Sequence, residues 1–438
     1  MAQSQEKTRE AIVIPHLRWW IASLLFASTA INYIDRQTVS VLAPYLKIQF
    51  HWTNSDFALI LIAFRIAYAV GETASGKFLD WLGTRFGLMI TVSWYSFAAM
   101  VTGLAVGLRS FVCFRFLVGA GESANWPGAT KAVSEWFPKS ERGWAIAFFD
   151  SGSAIGGAIV PVLVLWLFHV FGTWRPVFFM TGSLGVLWVL AWKALYYPPE
   201  LHPHIGAEER EMLRKAKEQE AALEVHVVRE GEKGKAIPWR ELLAIRQTWG
   251  IILARTLTDP VWFFIMEWFA IFVVSKGFRL EDTLIGFWAP YLAGDLGNFF
   301  GGGLSSELIR RGWPVLRARK FVIVLGTLGM VLLIPAVFTS HFGLIVLFFS
   351  VSSFSFATWA TMLLALPSDL YPSSTVASVS GMSLTGGGIG TIVSTFLIGT
   401  IVDHYSFKPV LIAASLVPLL GTGLIFLLIR NDGIPSET

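Results

Sequence analysis

Long apolar segments alternate with short polar turns along almost the whole chain. Each segment is close to the roughly 20 residues that a helix needs to cross the hydrocarbon core of a bilayer. The pattern predicts twelve membrane-spanning helices and an all-α integral membrane fold. The predicted spans are residues 17–45, 56–79, 87–108, 110–131, 143–170, 174–197, 247–275, 282–304, 319–339, 341–366, 375–402 and 407–430.

The longest polar interval divides these spans into two groups of six. Residues 198–246 contain "GAEEREMLRKAKEQEAALE", in which the sign of the charge alternates at helical spacing. That pattern is typical of a solvated helix. We therefore predict an N-terminal six-helix bundle (1–197), a linker (198–246) and a C-terminal six-helix bundle (247–438).

Composition points to lipid as the surrounding medium. Of the 438 residues, 54% are hydrophobic and 15% are charged, whereas a soluble domain has about 25% charged residues. The polar residues 1–10 lead into the first span without a small-residue cleavage site, so we expect an uncleaved helix rather than a signal peptide. Cys113 is the single cysteine, which excludes an intrachain disulfide and a cysteine-based metal site.

Basic residues are concentrated in alternate loops. "GKFLDWLGTRFG", "WFPKSERG", the linker and "RRGWPVLRARK" are rich in lysine and arginine, whereas "HWTNSD" and "TSH" in the intervening loops are not. Cytoplasmic loops carry such an excess. We therefore predict a multi-pass protein of the cell inner (plasma) membrane with both termini in the cytoplasm. Membrane topology also explains the net charge of +4, so no nucleic-acid partner is expected.

The two halves carry a weak repeat. "SGKFLDWLGTRFG" follows the second span and "GGGLSSELIRRG" follows the eighth, which is the second span of the second half. In both, small residues end a helix and are followed by an acidic residue, arginine and glycine. Equivalent placement in two halves suggests parallel repeats related by an axis along the membrane normal.

Several ionisable residues fall inside the predicted spans. A charged side chain at mid-membrane costs about 2.5–3.5 kcal/mol on insertion scales, so such residues usually face a cavity or one another. Those near span ends, such as Asp150, Arg255 and Glu267, have the alternative of reaching the interface. The full set is Asp35, Arg36, Arg65, Glu72, Arg115, Glu122, Asp150, Arg255, Asp259, Glu267 and Asp295.

Two interpretations of the charges in spans 1 and 4 remain open. Arg115 and Glu122 are two helical turns apart and share a face, whereas the adjacent Asp35 and Arg36 point in different directions. They form either structural ion pairs, in which loss of one partner costs about 3–5 kcal/mol, or a titrating group. In the second case protonation of a carboxyl group frees an arginine to hold an organic anion in fork geometry.

Other classes of function have little support. The chain contains no Walker A motif, no HExxH motif and no Gly-x-Ser-x-Gly elbow, and "TGGGIG" in span 11 lacks the strand and lysine of a phosphate loop. His202 and His204 in the linker are a weak metal signal. We expect no catalytic site, no metal site and no cofactor. A membrane-embedded enzyme or a sensor is the alternative class.

Five stretches resemble parts of known transporter families. "GKFLDWLGTRFG" is similar to the loop signature of the major facilitator superfamily, and "RFLVGAGESANWPGATKAVSEWFPKSERGWA" and "NYIDRQTVSVLAP" resemble its anion:cation symporter family. "RQTWGIILARTLTDPVWF" and "YLAGDLGNFFGGGLSS" look closest to bacterial hexuronate transporters. The resemblance implies import of a hexuronate or related sugar acid by proton symport through alternating access. Galactonate, glucarate or another organic anion, and sodium coupling, are the alternatives.

The resemblance also implies roles for single residues. Arg36 would contact the substrate carboxylate, and Asp35 would take part in proton coupling. Glu122 would be the second protonation site, with Arg115 as its pairing partner. Ser153 stands where sugar-acid relatives place a glutamine. The residues implied to line the substrate site are Tyr33, Arg36, Tyr68, Ser153, Asp295, Asn298 and Trp359. The expected partners are a sugar-acid anion and membrane lipid, and the expected state is a monomer.

Overall fold

A computed structural model describes residues 13–223, 237–278 and 284–429. Nearly all of the described residues are helical. The first part of the chain forms α1 (Leu17–Phe50), α2 (Asn54–Leu82), α3 (Thr84–Thr102), α4 (Leu108–Glu122), α5 (Asn125–Trp136), α6 (Lys139–Phe171), α7 (Arg175–Leu195) and α8 (Ala207–Leu223). The remainder forms α9 (Trp239–Leu242), α10 (Arg246–Ser275), α11 (Leu284–Arg310), α12 (Val315–Val331), α13 (Phe342–Leu370), α14 (Val376–His404) and α15 (Phe407–Leu428).

The predicted all-α membrane fold is confirmed. Every predicted span coincides with helical structure, in order along the chain. The fourth span is broken into α4 and α5, and a short 3₁₀ turn at Ile334–Val337 follows α12. Among the described residues, seven helices are long and apolar enough to cross a membrane by length and composition alone. In the other spans, charged or polar residues interrupt the apolar run.

Apolar packing follows the two halves of the chain. In the first half α1 lies against α6, α2 against α4, and α3 against α7. In the second, α11 lies against α13, α10 against α14, and α12 against α13 and α15. One cluster of buried apolar side chains lies wholly within residues 242–429, and the others lie mainly within residues 17–213. This packing supports the division into an N-terminal bundle (α1–α7) and a C-terminal bundle (α10–α15), whose exact boundaries stay a prediction.

The linker forms the predicted helix α8, which docks onto the N-terminal bundle. Glu209 of α8 accepts hydrogen bonds from the main-chain N–H groups of Leu17 and Arg18, at 2.9 and 3.2 Å, and so satisfies free donors at the start of α1. The Arg18 guanidinium bonds both Glu209 (2.7 Å) and Glu141 (2.8 Å). Three segments lie outside the described residues in this part of the molecule: linker residues 224–236 and the two chain ends, residues 1–12 and 430–438.

The two linker histidines make local contacts. His202 is fully buried, and burial lowers the pKa of its imidazole below the usual range. One ring nitrogen, Nε2, lies 2.8 Å from the Leu195 carbonyl oxygen, and the other, Nδ1, accepts a hydrogen bond from the main-chain N–H of His204. Both ring nitrogens are therefore used in anchoring the linker.

The bundles touch closely at the end that carries Lys77 and Arg85 beside the α2–α3 turn and Arg310 and Arg311 at the α11–α12 turn, called here the basic end. A Cβ added at Gly76 of α2 would lie 2.3 Å from the Ala377 carbonyl oxygen of α14, and one added at Gly302 of α11 would lie 2.3 Å from the Gly143 carbonyl oxygen of α6. Only glycine allows the backbones to approach so far. Small residues therefore set the distance between the bundles.

Buried ion pairs reinforce this contact. Asp80 of α2 accepts from Lys131 Nζ (2.6 Å) through one oxygen and from the main-chain N–H of Ser378 (2.7 Å) through the other. Asp369 at the end of α13 accepts from Arg319 Nε (2.8 Å), and Arg142 of α6 donates to the Ser368 carbonyl oxygen (2.6 Å). The described conformation is therefore closed at the basic end.

Thr73 and Thr385 provide a test of this conformation. Their hydroxyls, on α2 and α14, are 2.7 Å apart across the bundle interface, so cysteines at both positions should form a disulfide in this state. In a Cys113→Ser background, oxidation of Thr73→Cys/Thr385→Cys should abolish the transport that the family resemblance implies, and reduction should restore it. Gel mobility after cleavage in the linker measures the cross-link. The single-cysteine variants are the controls. Transport at the full rate by the oxidised, cross-linked double variant would contradict the idea that α2 and α14 separate at this contact during transport.

Candidate functional site

Arg36 lies at the middle of α1 inside a group of aromatic rings. Its guanidinium carbon is 4.5 Å from the ring centre of Tyr68, 5.1 Å from those of Tyr33 and Phe64, and 6.0 Å from that of Trp126. Such distances are within the range of cation–π attraction. The Arg36 side chain is still 24% exposed, so the rings do not enclose this cation completely.

Glu122 neutralises Arg36 through one oxygen. Arg36 Nε donates to Glu122 Oε2 at 3.2 Å, and Arg36 Nη2 donates to Asn32 Oδ1 at 3.2 Å. Glu122 is 0% exposed, and its Oε1 accepts no hydrogen bond from the described residues. The position of Glu122 is fixed where α4 ends, and a Cβ at Gly119 would lie 2.5 Å from the Phe64 carbonyl oxygen, so α4 is pressed against α2.

Asp35 points away from the accessible side of α1. It is 2% exposed, and within the described part of the chain neither carboxylate oxygen has a hydrogen-bond partner. Arg115 lies next to it, but its Nη1 and Nη2 donate to the main-chain carbonyl oxygens of Asp35 (3.3 Å) and Arg36 (3.1 Å). The predicted direct pairing of Arg115 with Glu122 is therefore corrected: Arg36 is the partner of Glu122, because Arg115 is drawn to the main chain of α1.

A second polar group joins the bundles near the aromatic rings. Asp150 of α6 accepts from Trp126 Nε1 (2.8 Å) and from Asn298 Nδ2 of α11 (3.0 Å). Asn298 Oδ1 accepts in turn from the Thr361 hydroxyl of α13 at 2.8 Å. Asp295, one helical turn from Asn298, is partly exposed. The predicted pair on α11 therefore lies against the N-terminal bundle.

Tyr33 connects the two groups. Its ring centre lies 6.1 Å from that of Trp126, and its hydroxyl interacts with the Ser153 hydroxyl of α6. Tyr33, Tyr68 and Ser153 are each partly exposed. The structure thus brings the predicted hydroxyl groups to the accessible side of α1, α2 and α6.

A third charged group lies where α10 and α14 of the C-terminal bundle face α2. Arg255 of α10 bonds Asp259 one turn further along at 2.9 Å. A Cβ at Gly387 of α14 would lie 2.2 Å from Asp259 Oδ2, so α14 packs directly against this pair. Glu72 of α2, which is 5% exposed, faces Arg255. Asp259 and Arg255 are thus partners within one helix, next to a carboxylate of the other bundle.

Comparison with known proteins identifies the family. The family model described as Major Facilitator Superfamily matches residues 25–318. The chain belongs to the Major Facilitator Superfamily. It is therefore a membrane transporter and not an enzyme.

The similar curated proteins are sugar-acid transporters. The chain is 32% identical over 426 residues to the hexuronate transporter of Escherichia coli (strain K12), covering 95% of each chain. It is 33% identical over 322 residues to the galacturonate transporter of Dickeya chrysanthemi, covering 73% of this chain and 90% of that one. The D-galactonate transporter of Escherichia coli O6:H1 is 28% identical over 424 residues, covering 95% and 96%.

Solved structures share the fold. The proton:xylose symporter XylE has a TM-score of 0.71 at 14% identity, with 94% of this chain and 96% of that chain covered. The fucose:proton symporter FucP of E. coli has a TM-score of 0.68 at 16% identity, with 95% and 100% covered. At these identities the likeness shows the fold alone.

Trp359 is not placed at the candidate site of this transporter. Its side chain is 0% exposed and belongs to the apolar core of the C-terminal bundle. Its Nε1 donates to the Thr422 hydroxyl of α15 at 3.3 Å, and Gly326 of α12 packs against it. The expectation that Trp359 forms a wall for a sugar ring is therefore corrected, because α12 and α15 enclose the indole.

Two aromatic residues at the site, Phe64 and Trp126, were not predicted from the sequence, and Asp150 was named there without a role at the site. Phe64 lies beneath both Arg36 and Arg115, Trp126 bonds Asp150, and Asp150 joins the bundles rather than reaching the membrane interface. In a chain with 14% aromatic residues, no single ring stands out. Trp126 does lie within the "GESANWPGATK" stretch, four residues after Glu122, and that was the available signal.

Substitutions of Asp35 and Asp80 by asparagine should have opposite effects on the unfolding free energy. Asp35→Asn replaces a buried carboxylate that has no hydrogen-bond partner among the described residues by a neutral amide, whose burial costs less than that of a charge, so the unfolding free energy should rise by about 1 kcal/mol or more. Asp80→Asn leaves the buried Lys131 without its partner, so the unfolding free energy should fall by about 3–5 kcal/mol. Thermal unfolding of the purified variants in one detergent measures both. A lower Tm for Asp35→Asn than for the parent protein would contradict this assignment.

Proposed function

We propose that this transporter imports a hexuronate or a closely related sugar acid together with protons, by alternating access. The observation that carries the proposal is Arg36, an arginine at mid-membrane that is partly exposed, framed by aromatic rings and held by a single glutamate oxygen. A guanidinium offers a fork of donors that matches a carboxylate. The names of the hexuronate and galacturonate relatives support the same substrate class.

The neighbouring groups suit a polyol. The hydroxyls of Tyr33, Tyr68 and Ser153 and the polar side chains of Asp295 and Asn298 supply donors and acceptors within the same region. The aromatic rings supply an apolar surface for the face of a sugar. A sugar acid therefore combines the two features that the site offers, a cation at one end and hydrogen-bonding groups beyond it.

Coupling to protons follows from the burial of two carboxyl groups. With Asp35 and Glu122 protonated, Arg36 loses its anionic partner and binds the substrate carboxylate instead. Release of the protons on the other side restores the Arg36–Glu122 pair, and the restored pair competes with the substrate for the guanidinium. Asp35 and Glu122 would therefore exchange protons, Arg36 would exchange anions, and Arg115 would hold α4 against the main chain of α1.

Orientation follows from the basic end. Loops rich in lysine and arginine face the cytoplasm, so the basic end and both termini lie on the cytoplasmic side of the inner membrane. The described conformation is closed at that end, so in the proposed cycle it belongs to the part in which the site does not face the cytoplasm. Opening of the contacts of α2 with α14 and of α6 with α11 would release the substrate inward.

Two alternatives remain within transport. The D-galactonate relative and the probable galactarate/D-glucarate transporter of Bacillus subtilis, which is 30% identical over 400 residues, favour a wider range of sugar acids. Sodium could replace the proton as the coupling ion. Uptake by proteoliposomes after separate collapse of the proton and the sodium gradient distinguishes the coupling ions.

Glu122→Gln tests the coupling role. Without a carboxyl group that releases its proton, the variant should lose gradient-driven accumulation of glucuronate by at least about tenfold, yet keep counterflow exchange. Proteoliposomes loaded with or without internal substrate measure the two activities side by side. Glu218→Gln, on the exposed face of α8, is the matched control. Normal accumulation by Glu122→Gln would eliminate the coupling role.

Arg36→Lys tests the substrate-binding role. Lysine keeps the charge but loses the planar fork, so the affinity for glucuronate should fall by about tenfold or more, or about 1.4 kcal/mol. Substrate-induced thermal stabilisation of the purified protein measures the affinity. Arg214→Lys in the exposed part of α8 is the control. An unchanged affinity in Arg36→Lys would mean that the carboxylate binds elsewhere.

A further inference from the structure

The candidate site carries opposite charges at its two ends. The Arg36 guanidinium lies 6.0 Å from the ring centre of Trp126. Nε1 of the same indole donates to Asp150 Oδ1 at 2.8 Å. One indole ring therefore contacts both the cation and a carboxylate, so a ligand that is bound to Arg36 and extends along this ring reaches Asp150.

Asp150 is held by neutral donors from both bundles. Trp126 Nε1 bonds one oxygen, and Asn298 Nδ2 bonds the other at 3.0 Å. Thr361 donates to Asn298 Oδ1 and so fixes the orientation of the amide. Neither donor carries a charge, so the negative charge of Asp150 is oriented but not neutralised.

Asp295 adds a second acidic group at this end. It lies one turn from Asn298 on α11, is partly exposed, and interacts electrostatically with Asp150. The cation that faces Asp150 from the C-terminal bundle is Arg255, which already bonds Asp259 at 2.9 Å. The end of the site opposite Arg36 is therefore acidic.

We propose that Asp150 and Asp295 restrict the substrate to sugar acids with one carboxylate and reject aldarates, which have a carboxylate at each end. The inference rests on the proposed function, in which Arg36 takes the first carboxylate. Sugar hydroxyls can donate to the two acids. A second carboxylate has no proton to donate to Asp150 or Asp295, and it would lie against their negative charges. Repulsion between these like charges disfavours the binding of an aldarate.

Asp295→Asn tests the proposal, because it removes one negative charge with almost no change of shape. Labelled galacturonate counterflow in proteoliposomes is inhibited with unlabelled galacturonate or galactarate at neutral pH, where both carboxylates of galactarate are ionised. In the parent protein, galacturonate should inhibit at least about tenfold more strongly than galactarate. In Asp295→Asn this ratio should fall by at least about fivefold, through tighter binding of galactarate. Glu307→Gln is the control, since Glu307 is on the same helix but pairs with Arg310 and Arg311 near its end.

The outcomes separate this inference from the proposed function. Thermal unfolding without ligand verifies that each variant is folded. Equal inhibition by galactarate and galacturonate in the parent protein, or an unchanged ratio in a folded Asp295→Asn that still binds galacturonate, overturns the selection against aldarates and leaves the proposed function standing. Absence of binding by either acid to the folded parent protein overturns the proposed function and this inference together.

Discussion

The Arg36–Glu122 pair is the interaction on which the rest of the transporter depends. Removing either charge from water costs several kcal/mol, and only mutual pairing and further hydrogen bonds offset that cost. Here the pairing is incomplete, because Glu122 keeps one oxygen without a partner among the described residues and Arg36 stays partly accessible. A pair that is stable but not saturated can be broken by a proton on one side or an anion on the other.

The surroundings keep that pair in place without neutralising it. Aromatic rings around Arg36 stabilise a cation through their faces but donate no counter-charge. Arg115 reaches the main chain of α1 instead of Glu122, so it ties α4 to α1 and leaves the glutamate to Arg36. Close contact of Gly119 with α2 fixes the height of Glu122 relative to the rings. Packing therefore fixes the helices around the site, whereas the hydrogen bond between Arg36 and Glu122 can be exchanged for one to another partner.

The interface between the two bundles contrasts with the exchangeable hydrogen bond between Arg36 and Glu122. Glycine contacts between α2 and α14 and between α6 and α11 give close but shallow packing, with little side-chain interdigitation to undo. The hydrogen bond from the main-chain N–H of Ser378 to Asp80 and the ion pair of Arg142 with Asp369 add directional contacts across the interface that hold only at one separation of the bundles. These contacts hold the bundles in the described conformation, which is closed at the basic end. Asp150 and Asn298 lie where this interface meets the candidate site, so the candidate site and the bundle contact share residues.

The sequence by itself determined the helical fold, the order of the spans and the candidate charges, because apolar length and the cost of burying charge are local properties of a chain. It also separated the directions of Asp35 and Arg36, since helical geometry fixes the angle between neighbours. Only the tertiary structure decided the partners. In the structure Glu122 pairs with Arg36 rather than with Arg115, and Trp359 is enclosed between α12 and α15. Asp150 links the two bundles through Asn298. Partners depend on which helices pack together and at what height, and helical periodicity along one chain does not contain that information.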